Sequence, residues 1–96
     1  MSIYENELPE IDNVVFELCV ASEKFGAFNT AHEGISVIRE EYLELEDEVY
    51  DRSKLGPATP EEKVIRMRHE SMQLAAMAVR FMVDVCRPQR DEEGEK

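Results

Sequence analysis

Apolar positions along the chain fall into three helical series separated by turn signals. After Pro9, the residues Ile11, Val14, Leu18, Ala21 and Phe25 recur at i, i+3, i+7, i+10 and i+14, which lays one stripe along a helix. Gly26 follows and suits a left-handed C-terminal cap. Thr30 then opens a second helix, its hydroxyl capping the first turn while Glu33, three residues on, completes a capping box. The spacing predicts this helix over residues 31–52, with Ile35, Ile38, Tyr42, Leu45 and Val49 as its core stripe. Gly56-Pro57 marks a turn, and Thr59-Pro60-Glu61-Glu62 supplies a cap, a proline at the first helical position and a second capping box. The third helix is expected to run to about residue 86, before Pro88.

From Ser71 onward the third helix is apolar on nearly every face, with Met72, Leu74, Ala76, Met77, Val79 and Phe81 among its residues. Such a helix must be covered all round. The first two helices offer one stripe each, so a homodimer or dimer of dimers is expected to cover the rest. The fold class that follows is all-α: one domain over residues 1–96, a bundle of three main helices per chain completed by dimerisation, with mobile tails at 1–8 and 88–96. One heptad-spaced stripe, Lys63, Arg66, Glu70, Gln73, Met77, Arg80 and Asp84, polar but for Met77, threads the third helix. Buried charges need partners, and Arg66 with Glu70 and Arg80 with Asp84 stand at i, i+4.

Charge changes the picture. The 22 acidic residues outnumber 11 basic ones, for a net charge of −11, which argues against nucleic-acid or anionic-membrane binding through bulk charge. A phosphate-bearing partner therefore needs a metal between it and the protein. No apolar run approaches the roughly 18 residues of a membrane span, and the opening MSIYENELPE lacks the features of a signal peptide, so a cytoplasmic location is expected. Cys19 and Cys86 sit in apolar runs without CxxC spacing and are expected to be small buried hydrophobes.

The chemistry concentrates between Glu40 and Glu48, where six of nine residues are acidic. Glu41, Glu44 and Glu48 recur at i, i+3 and i+7 on one face, with Glu40 beside Glu44 at i, i+4. Like charges at that spacing repel by a few tenths of a kcal/mol per pair, roughly, so a cation should offset them. Hard carboxylate ligands suit Mg²⁺ or Mn²⁺. The competing reading is a solvated acidic helix face.

The EExxE stretch from Glu40 to Glu44, followed by a second acidic position at Glu70 on a later helix, resembles the MazG-like all-α nucleoside triphosphate pyrophosphohydrolases, whose pattern is EExxE, a loop, then ExxD. The stretches FGAFNTAHEGISVIREEYLELEDEV and RHESMQLAAMAVRF carry the same likeness. Glu41, Glu44 and Glu70 match the metal-binding positions, and Gln73 stands where the family has aspartate. The resemblance implies a Mg²⁺-dependent (or Mn²⁺-dependent) hydrolase that splits a nucleoside triphosphate into monophosphate and pyrophosphate. Glu41, Glu44, Glu70 and, as a weak fourth, Gln73 would be the ligands, with Glu40 as the catalytic base. Lys63, Arg66 and Arg80 are candidates for phosphate contact, and the link Phe28-Asn29 and His32 for base or ribose. For the basic residues, ion pairing at the surface is the competing reading. The alternative function is a non-catalytic helical oligomer with a degenerate metal site, acting as a binding or interaction protein.

Overall fold

Three α-helices form among residues 2–88, the part of the chain that the computed structural model describes. They are α1 (Pro9–Phe25), α2 (Ala31–Val49) and α3 (Pro60–Phe81), with a 3-10 turn at Ile3–Glu5 and a π-helical turn at Met82–Cys86 continuing α3. No strand occurs among the described residues. Gly26 ends α1 as expected, though at φ 72° and ψ −173°, a backbone that favours glycine but is not the left-handed helical cap. At the start of α3, the Glu62 N–H donates to Thr59 Oγ1 at 3.1 Å and the Thr59 N–H donates to Glu62 Oε1 at 2.9 Å, a full capping box. At α2 the box is shifted: the Glu33 N–H donates to Thr30 Oγ1 at 3.0 Å, but the Glu33 carboxylate accepts from the Asn29 N–H at 2.7 Å.

Two boundaries differ from expectation. α2 stops at Val49, three residues before the predicted end, because Asp51 turns left-handed at φ 60°. At the N-terminus, where a tail without structure is predicted, Ile3–Glu5 form a turn capped by Ser2, whose Oγ accepts from the Tyr4 N–H at 3.1 Å. The expected C-terminal tail lies, beyond Pro88, outside the described residues.

The central helix is α3, against which α1 and α2 both pack. The core is small: among the described residues Ala21, Phe28, Ala76 and Met77 are the buried hydrophobic ones, ringed by Val14, Val37, Ile38, Phe81 and Val85. Gly34 lets Phe28 and Phe81 reach the α2 backbone. A Cβ there would lie 2.6 Å from Phe81 Cδ2 and 3.2 Å from Phe28 Cδ2.

The stripe that α2 turns inward keeps Ile38 and Leu45 of the predicted one and replaces the rest. Gly34, Val37, Ile38, Glu41, Leu45 and Glu48 are covered, whereas Ile35, Tyr42 and Val49 are 56%, 51% and 42% exposed. The reason is the opposing surface. The polar series of α3 points into the bundle, with Lys63, Arg66, Glu70, Gln73 and Asp84 half-buried and Arg80 buried, so α2 meets it with the face that carries the carboxylates. In α1, Val14, Leu18 and Ala21 turn inward while Ile11 and Phe25 are exposed. Cys19 and Cys86 are exposed rather than buried, since each lies off the face its helix presents to the core.

Candidate functional site

Glu41 and Glu44 come from adjacent turns of α2 and Glu70 from the middle of α3. Helical spacing makes the first two neighbours, and the packing of α3 along α2 adds the third. One carboxylate oxygen from each lies within 4.8 Å of the others. Glu41 and Glu70 are half-buried and Glu44 is exposed, so the cluster opens to solvent on one side. Among the described residues no lysine or arginine pairs with any of the three. At an effective dielectric of about 20, two unit charges that far apart repel by about 3 kcal/mol.

The protonation behaviour follows from that crowding. Burial first, and then the charges of Glu44 and Glu70, push the Glu41 carboxyl from 4.5 up to about 7. Glu70 is raised by the same causes, burial ahead of Glu44, with His69 pulling the other way. The donor set is three hard oxygens carrying unneutralised charge. An octahedral Mg²⁺ with oxygens at about 2.1 Å spaces its ligands roughly 3 to 4.2 Å apart, so the side chains already stand near that spacing. The residues fit a small divalent cation, and they fit zinc poorly for want of nitrogen or sulfur.

The triad separates two cavities. On the side of Glu41 lies a cavity of about 400 Å³ between the three helices, its apolar wall built from Ala21, Phe25, Phe28, Val37 and Met77. Glu17, Glu33, Glu40, Gln73 and Arg80, with Glu41 itself, supply the polar part of its lining. On the side of Glu44 and Glu70 is a polar hollow of about 230 Å³, bordered also by Asp47, Ser53 and Lys54. The expected base, Glu40, is exposed and shares the first cavity with Glu41 and Gln73.

The expected phosphate-contacting cations are placed differently. Arg66 donates to the Gly56 carbonyl at 2.9 Å and pairs with buried Glu48 at 3.9 Å, so it ties the α2–α3 link to α2 rather than pairing with Glu70. Lys63 pairs with Asp51 at 3.1 Å. Both lie beside Gly56 and Pro57, at the end of the bundle away from the cavity beside Glu41. Arg80 is buried: it donates to the Gly26 carbonyl, its guanidinium carbon stands 4.3 Å from the centre of the Phe28 ring, and its Nε lies 3.9 Å from Asp84 Oδ2. That oxygen accepts from the Phe28 N–H at 3.0 Å, so Arg80 and Asp84 together clasp the α1–α2 link. At 3.9 Å the Nε contact is an ion pair without a hydrogen bond, and the Nε has no hydrogen-bond partner.

Asn29 and His32 are both exposed, near the N-terminus of α2; the Asn29 N–H is held by Glu33 and the His32 carbonyl accepts from Ser36 Oγ at 2.9 Å. Phe28, expected to touch a base or ribose, is instead buried against Arg80 and lines the cavity beside Glu41. Lys54 is the residue the sequence did not single out, since a lone lysine in a turn carries no periodic signal. Set against protein-family models, curated proteins and solved structures, the chain finds no match in any of the three comparisons.

Proposed function

We propose that the protein is a Mg²⁺-dependent or Mn²⁺-dependent nucleoside triphosphate pyrophosphohydrolase, working as a homo-oligomer. The observation that carries this reading is the unpaired Glu41, Glu44 and Glu70 triad between two cavities. The likeness of its motifs to the MazG-like pattern supports the choice of reaction. Glu41, Glu44 and Glu70 would hold the cation, which when bound supplies neutralisation of phosphate oxygens and activation of water. The exposed Glu40 carboxylate is free to accept the proton of a water attacking the α-phosphorus, since no cation pairs with it among the described residues. Oligomerisation is supported by the small core and by the exposed Ile35, Tyr42 and Val49 on α2.

The expected result is Mg²⁺-dependent release of pyrophosphate from some member of a panel of canonical and modified nucleoside triphosphates. Orthophosphate as the only product refutes the reaction assigned. Gln73 favours one second reading, a non-catalytic oligomer with a weakened cation site. Cation binding without turnover, in the wild type and in Gln73→Asp alike, would make that reading the better one.

A further inference from the structure

We infer that the outward face of α1 is a docking surface for a basic amphipathic helix of another protein. That face is independent of the reaction proposed above: Glu17 and Ala21 turn from α1 toward the cavity beside Glu41, whereas Ile11, Val15, Phe16 and Val20 are exposed and line no part of it. Helical spacing sets the four in two neighbouring rows. Ile11, Val15 and the exposed Cys19 follow one another at i, i+4 and i+8, and Phe16 and Val20 stand at i, i+4 in the next row. Phe16 is 71% exposed, and an apolar patch of this kind marks a contact surface. Beside the first row a cavity of about 450 Å³ opens between α1 and the end of α3. Leu18, Cys19, Ala27 and Val83 form its apolar wall, and Ser22 with the Arg80–Asp84 pair the polar remainder, so it can seat one large apolar side chain of a partner.

Charge decides what covers this face. Glu7, Glu10, Asp12 and Glu23 are exposed along it, none of them ion-paired among the described residues, and Lys24 is the one basic side chain in residues 2–25. The helix dipole accounts for Glu10 and Asp12 in the first turn, but Glu23 stands near the last turn, at the end that favours cations. A second copy laid face to face on α1 would set these carboxylates against their own counterparts. The α2 side differs, because it carries Arg39 and Arg52 as well as Glu46 and Asp47 and can therefore complement itself. A basic partner is what the α1 side complements. Its backbone is bonded within the helix and offers no strand edge, whereas a second helix can set a ridge of side chains between the two rows. Asp12 and Glu23 lie about 16 Å apart along the axis, which asks for lysine or arginine at positions about three turns apart on the partner.

The test uses the full chain and two synthetic peptides of identical leucine and lysine content. One forms a helix with its leucines on a single face and its lysines beside them; the other has the same residues reordered so that no apolar face forms. Fluorescence anisotropy at physiological ionic strength reads the affinity. The amphipathic helix should bind about tenfold more tightly than the reordered peptide, and Phe16→Ser combined with Val20→Ser should weaken it by about tenfold, as truncation at the centre of an interface does. Both positions are exposed, so the variant keeps the core. Asp12→Asn combined with Glu23→Gln should weaken binding several-fold and flatten its dependence on salt. Tyr42→Ser, on the outward face of α2, should leave it unchanged. No binding of the amphipathic helix, equal binding of the two peptides, or full affinity after Phe16→Ser with Val20→Ser would overturn the inference. Loss of the oligomer in sedimentation by that same variant would make a second copy the occupant, and would overturn it as well.

Discussion

Replacing Glu41 with glutamine should stabilise the protein when no divalent cation is present, and only at neutral or alkaline pH. A carboxyl pushed from 4.5 to about 7 is costly to ionise in the folded state. Fully sheltered from water, that displacement corresponds to about 3 kcal/mol. Glu41 keeps contact with solvent, and screening brings the expected cost to about half of this, ~1.5 kcal/mol. The sign follows from linkage. Because the folded value lies above the unfolded one, the stabilising contribution of the protonated carboxyl is complete below pH 4.5 and is lost as pH rises through about 7. Wild-type stability therefore falls across that window through this group, whereas Glu41→Gln has no proton to lose there. Glutamine also preserves the shape and can donate to Glu44.

The assay is thermal unfolding at fixed protein concentration and ionic strength, with chelator, at pH 5 and pH 8. For a domain this small, ~1.5 kcal/mol corresponds to a rise in Tm of about 6–12 °C at pH 8, with little difference at pH 5. Adding millimolar Mn²⁺ should then reverse the order, since a ligand that binds only the folded state stabilises the wild type and finds a poorer site in the variant. A variant that is less stable than wild type at pH 8 under chelator, or one that gains equally at both pH values, would refute the account of crowded, uncompensated carboxylates.

Three further outcomes follow from the packing. Gly34→Ala places a methyl 2.6 Å from the Phe81 ring; overpacking costs about 1–3 kcal/mol against a helix-propensity gain of about 1 kcal/mol, so the denaturant midpoint should fall, and an unchanged midpoint would mean that the ring moves aside freely. Gln73→Asp should tighten Mn²⁺ binding and lower chelator-treated stability at pH 8 by adding a charge beside Glu41; calorimetry showing unaltered affinity would confine Gln73 to the cavity. Tyr42→Lys combined with Val49→Lys places charge on the exposed face of α2 and should dissociate the oligomer in sedimentation. A wild-type protein that sediments as a folded monomer at micromolar concentration would remove the basis for that expectation.

Local chemistry in the sequence determined where α1 ends and where α2 and α3 begin. The Thr59-Pro60-Glu61-Glu62 start of α3 and the Gly26 stop of α1 depend on backbone groups within a few residues, so they are legible without a neighbour. The pairing of Glu41 with Glu44 was legible for the same reason, being one turn of one helix. Which face of α2 turns inward was not. Two stripes compete there, Ile35–Tyr42–Val49 and Gly34–Glu41–Glu48, and periodicity ranks them by hydrophobicity alone. The choice went to the second because the inward face of α3 carries Arg66 and Glu70, and because Gly34 admits two aromatic rings that any side chain would exclude. The same alignment moved Arg66 from its neighbour Glu70 to Glu48, and buried Arg80 under Phe28. Each of these joins residues on different helices or in the links between them, at separations where the chain carries no record of distance. Only the docking of α2 on α3 brought Glu70 to the other two carboxylates, and with it the charge that the fold leaves unbalanced.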